Sequence, residues 1–229
     1  MTDGYAGAAG LYDLFAAAQG RAALPRVAEF AALARPGMRV LDVGAGTGRV
    51  ALAVAELGAA VWCVEPSADM RGVLLAKIAE RRAIWSRITV LAGAAPELPV
   101  RGPFEYAYLA GSLQFLTAAQ RPVAFRALAD RLGPGGVLAL DMVGDVPAPP
   151  PGVTEIAQVR VGTRRHVLTA EVITAEAGAT LVEYGYDELR IRRWSHAHPL
   201  PDVAADLAAC GFSATSVRDR AAVLVATRS

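Results

Sequence analysis

The chain of 229 residues is long enough for one domain with a substantial core, and 54% of its residues are hydrophobic. Its net charge of +1 is far from the basic balance of nucleic-acid-binding proteins, and it contains no run of about 18 apolar residues that could span a membrane. The spacing of Cys63 and Cys210 excludes a cysteine-based metal site. Residues 1–4 lack the basic and apolar regions of a signal peptide, which predicts a cytoplasmic protein.

The N-terminal segment is rich in alanine and only weakly helical from Tyr5 to Leu33. Its pattern is broken near Gly20 and Pro25. After that break, apolar side chains recur at helical spacing, which predicts one amphipathic helix before the first strand. These residues are Leu24, Val27, Phe30, Ala31 and Ala34.

The most informative stretch is residues 40–48, Val-Leu-Asp-Val-Gly-Ala-Gly-Thr-Gly. An apolar strand, Arg39 to Val43, ends in a glycine-rich turn, and a helical pattern from Arg49 to Leu57 follows. The spacing is G-x-G-x-G rather than the dinucleotide fingerprint G-x-G-x-x-G, and no Lys-Ser/Thr pair of a P-loop follows. Asp42 would repel a pyrophosphate but suits a cofactor that carries an ammonium group. The turn therefore predicts a nucleotide-like cofactor.

A second acid supports the same geometry. The next predicted strand, Ala60 to Glu65, ends about 20 residues after the glycines, where a ribose-binding acid is expected. The Glu65 carboxylate could accept hydrogen bonds from both ribose hydroxyls. Pro66 ends the strand, and Ser67 or Asp69 could cap a helix that runs to about Ala83.

Strands and helices continue to alternate up to residue 143. Such alternation indicates a parallel sheet covered by helices on both faces, with right-handed crossovers and a ligand crevice beyond the carboxyl ends of the strands. Gly133-Pro134-Gly135-Gly136 is typical of a helix stop. The predicted strands are Ile88 to Ala92, Phe104 to Ala110 and Val137 to Val143, and the predicted helix is Arg121 to Leu132.

The pattern changes after residue 146, where a proline-rich connector begins. Three β-type runs separated by Gly162-Thr163 and Ala177-Gly178 predict an antiparallel meander. A helix and a closing hairpin complete the prediction. The three runs are Glu155 to Val161, Arg165 to Thr174 and Thr180 to Arg192; the helix is Leu200 to Cys210, and the hairpin pairs Phe212 to Arg218 with Ala221 to Thr227.

Four motifs in order resemble those of the class I S-adenosylmethionine-dependent methyltransferases, over roughly residues 35 to 143. They are residues 41–48, 64–70, 104–108 and 128–138. The resemblance implies an α/β fold: a Rossmann-like, seven-stranded, mostly parallel sheet flanked by helices, with an antiparallel β-meander inserted after strand five. It also implies a single domain, 1–229, with an N-terminal helical lid at 1–35 and a substrate-side insertion at 145–199.

The resemblance further implies S-adenosyl-L-methionine as cofactor. In that family the glycine turn holds the methionine moiety, the second acid holds the ribose, a third loop flanks the adenine, and an N-terminal helix forms a lid. The third loop usually carries an acid or its amide where this chain has Ala94, so adenine would rely on backbone atoms and apolar contact. The implied cofactor-binding residues are Tyr12, Asp42, Gly44, Ala45, Gly46, Glu65, Pro66, Met70, Gly93, Ala94, Ala95, Ser112 and Leu113.

The segment Gly111 to Leu116 is similar to the small-molecule branch of the family. The Asn/Asp-Pro-Pro-aromatic signature of nucleic-acid amino-group methylation and the Pro-Cys pair of cytosine chemistry are both missing there. We therefore expect methylation of O, N or C of a small metabolite, without nucleic-acid or membrane partners. The preference for Arg over Lys is typical of high-GC bacteria and favours specialised metabolism. Aromatic residues predict an apolar acceptor cleft: Phe115, Tyr184, Tyr186 and Trp194.

Methyl transfer needs alignment, water exclusion and, for some acceptors, a base. His166, His196 and His198 are the candidate general bases, and Asp141 is a further candidate. The arginines at 190, 192 and 193 are interpreted as a solvated face. An alternative is a protein that uses the cofactor without methyl transfer, for cyclisation or elimination or as a regulatory subunit; a dehydrogenase ranks third because of the glycine spacing. The oligomeric state stays open, with a homodimer among the options.

Overall fold

The computed structural model describes residues 5–18, 27–141, 143–144, 151–218 and 223–229. Its elements in chain order are α1 (Ala9–Ala18), α2 (Val27–Ala31), β1 (Arg39–Val43), α3 (Arg49–Glu56), β2 (Ala60–Glu65), α4 (Ala68–Ala79), β3 (Ile88–Ala92), β4 (Phe104–Leu109), α5 (Gln120–Ala129), β5 (Leu132–Leu140), β6 (Thr154–Val161), β7 (Arg164–Glu176), β8 (Ala179–Tyr186), β9 (Leu189–His196), α6 (Leu200–Ala209), β10 (Phe212–Arg218) and β11 (Val223–Arg228).

A seven-stranded sheet organises the chain, in the order β10-β11-β5-β4-β1-β2-β3. Neighbouring strands are parallel from β5 to β3, and β11 runs antiparallel to both β5 and β10. The chain moves from β1 towards β3 and then returns to the other side of β1 with β4. A crevice therefore opens between the carboxyl ends of β1 and β4, which is where open α/β sheets bind ligands. This confirms the predicted fold class.

Both faces of this sheet are covered by apolar residues. One buried cluster includes Leu41, Phe125 and Leu207 and packs α5 and α6 on the sheet. The other includes Val40, Val54 and Leu74 and packs α2, α3 and α4 on the opposite face. Strands buried on both faces read as continuous apolar runs, which is why β1 and β2 were visible in the sequence.

The strand that precedes the insertion begins earlier than predicted. β5 starts at Leu132 rather than Val137, and α5 ends at Ala129, so the Gly-Pro-Gly-Gly segment lies inside the strand and not in a loop. The pairing with β4 shifts between Phe104 and Tyr106, and such an irregularity accommodates glycine and proline within a ladder. The predicted end at Val143 is also wrong, since β5 ends at Leu140.

The insertion forms a separate four-stranded antiparallel sheet in the order β6-β7-β8-β9. The turns at Gly162-Thr163 and Ala177-Gly178 are where the sequence predicts them. The predicted third run, Thr180 to Arg192, is wrong as one strand, because β8 and β9 are separated by a turn at Asp187-Glu188. Asp187 has a φ of 54°, in the left-handed region. Asp tolerates this conformation, so the turn contains no glycine by which the sequence would reveal it.

The insertion leaves and rejoins the main sheet at one point. Gly144 N donates to His198 O at 2.7 Å, and His198 N donates to Gly144 O at 3.1 Å. We call this pair of residues the neck. The meander also contacts α1, since Phe15 packs with Leu168 and Ile191 in a third buried cluster. The predicted N-terminal helical pattern is divided into α1 and α2, and Leu24, Gly20 and Pro25 lie outside the described residues.

Candidate functional site

A cavity of about 890 Å³ lies at the carboxyl edge of the main sheet. The glycine turn after β1, the end of β2 and the loops after β3 and β4 form one wall, while α1 and β9 contribute the other. The lining includes eleven predicted cofactor residues: Tyr12, Asp42, Gly44, Ala45, Gly46, Glu65, Pro66, Met70, Gly93, Ala94 and Ser112. The predicted Ala95 and Leu113 do not line it, and Leu113 is fully buried in the core.

Close packing shapes the glycine turn. Gly44 has a φ of 79°, and a Cβ there would overlap the side chain of Ser112 in the loop after β4. Gly48 has a φ of 78°, and its Cβ would overlap the fully buried Leu74 of α4. The hydroxyl of Ser112 donates to the carbonyl of Val43 at 2.7 Å. The turn is thus held between two neighbouring loops, with its backbone facing the cavity.

The Glu65 carboxylate joins two cavity loops. Its Oε2 accepts a hydrogen bond from Gly46 N at 2.8 Å, and its Oε1 accepts one from Ser67 N at 2.8 Å. The side chain is only 5% exposed, and Arg71 donates to the Glu65 carbonyl at 2.7 Å. Glu65 lines the cavity, and a carboxylate is a suitable acceptor for the hydroxyls of a ribose.

Asp42 is the next-to-last residue of β1 and lines the cavity. It is 2% exposed, and its Oδ2 accepts a hydrogen bond from the Tyr108 hydroxyl at 2.9 Å. Burial raises the pKa of Asp42 to about 8, although the Tyr108 hydrogen bond acts in the opposite direction. A cation placed beside it would favour the charged form. Asp42 is therefore suited to an ammonium group.

The three histidines do not line the cavity. His198 is fully buried, and its Nε2 donates to the carbonyl of Leu113 at 2.9 Å while its Nδ1 accepts from Arg121 at 3.1 Å. His166 bonds through Nδ1 to Asp187 at 2.7 Å, within the meander. His196 stacks against Trp194, with ring centroids 6.4 Å apart. This placement supports structural roles for His198 and His166 rather than the predicted base.

Asp141 is also bound within the fold. Its Oδ1 accepts a hydrogen bond from Gly111 N at 2.6 Å, which ties the end of β5 to the loop after β4. Burial raises the pKa of Asp141 to about 6, and the hydrogen bond from Gly111 opposes that effect. It does not line the cavity. Among the described residues, no cluster of three or more His, Cys, Asp or Glu side chains could bind a metal.

The second wall of the cavity is aromatic and cationic. The guanidinium of Arg193 on β9 lies between two tyrosine rings, 4.4 Å from the centroid of Tyr5 and 4.2 Å from that of Tyr184. Phe115 and Trp194 also line this side. The interpretation of Arg193 as solvated is wrong. Side chains alternate along β9, so Arg193 faces the same side as the buried Ile191 and Ser195, which was a readable signal.

Helix α1 is attached to the glycine turn and α4. Asp13 accepts a hydrogen bond from the Thr47 hydroxyl at 2.8 Å and forms an ion pair with Lys77, whose ammonium also donates to the Thr47 carbonyl at 3.0 Å. Gly7 N donates to Asp69 at 2.7 Å. We call the contacts of Asp13 with Thr47 and Lys77 the latch. Motif reasoning did not identify it, because its partners are 30 or more residues apart.

Comparisons with known proteins agree with this geometry. Residues 40–136 match the family model described as a methyltransferase domain. No sequence among the curated proteins matches the chain significantly. Among solved structures, CalS10, an amino pentose methyltransferase from Micromonospora echinaspora, is similar at 22% identity and a TM-score of 0.75, over 96% of this chain and 97% of that one.

Two further structures are similar over nearly the whole length. DesVI from Streptomyces venezuelae has 19% identity and a TM-score of 0.76, over 96% of this chain and 98% of its own. The sugar N-methyltransferase KedS8 from Streptoalloteichus has 19% identity and a TM-score of 0.72, over 95% and 92%. At these identities the likeness establishes the fold. Residues 40–136 thus resemble a methyltransferase domain, and the chain has the fold of the class I S-adenosylmethionine-dependent methyltransferases, as its motifs predict.

Proposed function

We propose that this protein transfers a methyl group from S-adenosyl-L-methionine to a small molecule. The observation that carries this proposal is a cavity with two chemically different walls. Asp42, Glu65 and the glycine turn suit a nucleoside that carries an ammonium group, and the opposite wall of Tyr5, Arg193 and aromatic rings suits an organic acceptor. A site that only bound the cofactor would need no second wall.

Nitrogen is the acceptor atom that these residues favour over oxygen or carbon. No histidine lines the cavity, and a neutral amine can attack the methyl carbon without a protein base. The nitrogen lone pair forms the new N–C bond as the C–S bond breaks, and the product ammonium then loses its proton to water. The cationic Arg193 lowers the pKa of a nearby amine and so increases its neutral fraction.

An amino sugar is the acceptor class to test first. CalS10 is described as an amino pentose methyltransferase and KedS8 as a sugar N-methyltransferase, and both resemble this chain across the meander as well as the main sheet. A bacterial biosynthetic role accords with these neighbours. The near-neutral charge supports an acceptor other than nucleic acid, and none of the described helices is long and apolar enough to cross a bilayer.

We propose one domain, 1–229, in which residues 1–35 form a lid over the cofactor and residues 145–199 cover the acceptor. The latch and the packing of Phe15 on the meander support this division, because α1 contacts both the cofactor turn and the acceptor wall. The free, buried Cys63 and Cys210 accord with a reducing, cytoplasmic compartment.

Two measurements test the proposed function. S-adenosylmethionine and S-adenosylhomocysteine should each raise the melting temperature, whereas NAD should not; a 100-fold excess over Kd stabilises a protein by about 2.7 kcal/mol. Methyl-labelled cofactor is then incubated with matched sugars that carry an amine or a hydroxyl at the same carbon. Label on the amine is the expected result, and cofactor turnover without label transfer would favour a non-methylating use of the cofactor.

A further inference from the structure

Arg49 is a lining residue of the cavity that motif reasoning did not identify. It is the first residue of α3 and follows directly after the glycine turn. Its Nη1 is buried and has no hydrogen-bond partner among the residues that the structure describes. Within that part of the chain, Arg49 also forms no ion pair with an acid. Its positive charge acts on Tyr12 of α1, where it opposes the rise that burial causes in the pKa of the tyrosine.

An unpaired guanidinium in such a position requires an explanation. Buried polar atoms are nearly always hydrogen-bonded, so the buried Nη1 of this half-buried side chain is an exception. Arg121, by comparison, is buried but forms an ion pair with Asp206 at 2.7 Å. Arg193 also has a buried nitrogen, Nε, without a hydrogen-bond partner among the described residues, but its guanidinium packs between the Tyr5 and Tyr184 rings on the other wall. Arg49 has neither an ion pair nor a stacked ring among the described residues, so its Nη1 is available to an anion in the cavity.

The cofactor of the proposed function supplies such an anion. Its amino-acid end is a zwitterion, with an ammonium and a carboxylate on one carbon atom. Asp42 suits the ammonium, but the other acids of the cavity wall, Glu65 and Glu97, would repel the carboxylate. The N-cap residue of α3, Gly48, provides no side-chain hydrogen bond, so the amides of the first turn of α3 are uncapped beside Arg49.

We infer that Arg49 binds the α-carboxylate of the cofactor's methionine end, through its planar fork of N–H donors. This inference rests on the proposed function. It assigns the two charges of the zwitterion to opposite sides of the glycine turn, with Asp42 on the ammonium and Arg49 on the carboxylate. The lid then affects binding, because the latch residue Asp13 holds α1 against Thr47, two residues before Arg49.

Two nucleosides separate this role from a structural one. S-adenosylhomocysteine carries the amino-acid end, and 5′-methylthioadenosine lacks it. Titration calorimetry of the whole protein should show that Arg49→Gln weakens S-adenosylhomocysteine binding about 10- to 100-fold, as expected for hydrogen bonds to a charged group. The Kd for 5′-methylthioadenosine should change less than about twofold.

Two matched variants complete the experiment. Arg49→Lys keeps the charge and should recover part of the lost affinity, and Arg82→Gln removes an exposed arginine near Trp85 and should leave both Kd values unchanged. Equal losses for the two nucleosides, or unchanged S-adenosylhomocysteine affinity in Arg49→Gln, would overturn the assignment. Wild-type protein that bound neither nucleoside would instead overturn the proposed function itself.

Discussion

The hydroxyl of Tyr108 donates a hydrogen bond to Oδ2 of Asp42 across two adjacent parallel strands, in which these residues are direct register partners. Tyr108 is fully buried and Asp42 nearly so. Parallel pairing places both side chains on one side of the sheet, so the tyrosine orients the carboxylate at the edge of the cavity. Because burial raises the pKa of Asp42 to about 8, ligand charge and proton binding are coupled there.

Cofactor binding should release a proton near neutral pH. The ammonium of S-adenosylhomocysteine favours ionised Asp42, so its Kd should fall as pH rises from 6 towards 8, by at most about tenfold per unit. Calorimetry in buffers with different ionisation enthalpies measures the released proton. The affinity of 5′-methylthioadenosine, which has no ammonium, should stay constant. Equal Kd values for S-adenosylhomocysteine at both pH values would rule out this coupling.

The free energy of unfolding should fall as pH rises, whereas cofactor affinity should increase. The folded pKa of Asp42 lies above the ordinary value of 3.8, so ionisation destabilises the fold progressively as pH rises from about 4 through about 8. Asp42→Asn cannot ionise. Its free energy of unfolding, measured in urea, should therefore rise relative to wild type over this range, although its cofactor affinity falls. A constant difference between the two proteins would argue against a raised pKa.

Glu65→Ala should weaken cofactor binding by about 1–3 kcal/mol, because it removes a carboxylate placed for two hydroxyls. Since the same group holds Gly46 N and Ser67 N, part of the loss comes from a looser turn. Glu65→Gln retains one acceptor oxygen and should lose less. Calorimetry with S-adenosylhomocysteine measures both variants, and wild-type affinity in Glu65→Ala would refute the ribose assignment.

The latch should slow cofactor release. Asp13→Ala removes the hydrogen bond from Thr47 and the ion pair with Lys77, so the off-rate should rise about three- to tenfold. Displacement can be followed by tryptophan fluorescence, because Trp194 lines the cavity. Glu56→Gln removes a carboxylate that pairs with Arg81 away from α1 and serves as the control. An off-rate for Asp13→Ala equal to the control's would show that the latch does not retain the cofactor.

His198 should matter for folding rather than for the pH dependence of catalysis. Replacing it with Leu removes the partner of Arg121 Nη1 and one hydrogen bond to the Leu113 carbonyl, although Arg121 keeps Asp206, and we expect a loss of about 1–3 kcal/mol in the free energy of unfolding. Burial, together with Arg121, lowers the pKa of His198. Wild-type stability should therefore be intact above about pH 6.5 and fall below it.

Denaturant unfolding of wild type and His198→Gln at pH 8 and pH 5.5 measures this contribution. Wild type should lose more stability between the two pH values than the variant, because the glutamine does not titrate. Equal losses would exclude His198 as the titrating group. A variant that folds normally but loses a catalytic pH transition would restore the base hypothesis.

The glycine turn should be intolerant of one methyl group. Gly48→Ala forces a left-handed conformation on an alanine and overlaps Leu74, so we expect about 2–4 kcal/mol of destabilisation. Gly72→Ala in α4 meets no atom within 4 Å and should stabilise the protein by about 0.5–1 kcal/mol. Urea unfolding of both variants gives the comparison, and equal effects would contradict the close packing on Leu74.

Local sequence patterns predict the residues of the cavity wall that carries Asp42 and Glu65, but they do not predict those of the opposite wall, which carries Arg193. Asp42 and Glu65 lie at the carboxyl ends of apolar strands, next to last in β1 and last in β2, so their position at the cavity edge follows from strand order alone. The interpretation of Arg193 as solvated fails because three arginines in four residues resemble a solvated run. Strand alternation nevertheless places Arg193 on the face of β9 opposite to Arg190 and Arg192. His198 depends on Leu113, Arg121 and Asp206 from distant segments, and no single-sequence pattern brings these together.

The neck has a consequence for how proteins with this fold could diversify. Because Gly144 and His198 pair directly, the meander between them begins and ends at adjacent residues. Replacing the meander would therefore change the cavity wall that β9 contributes, but it would leave β1, β2 and their acids in place. We therefore expect that replacing residues 145–197 with the corresponding segment of a structural neighbour would change acceptor specificity while the proposed cofactor-binding residues stay the same.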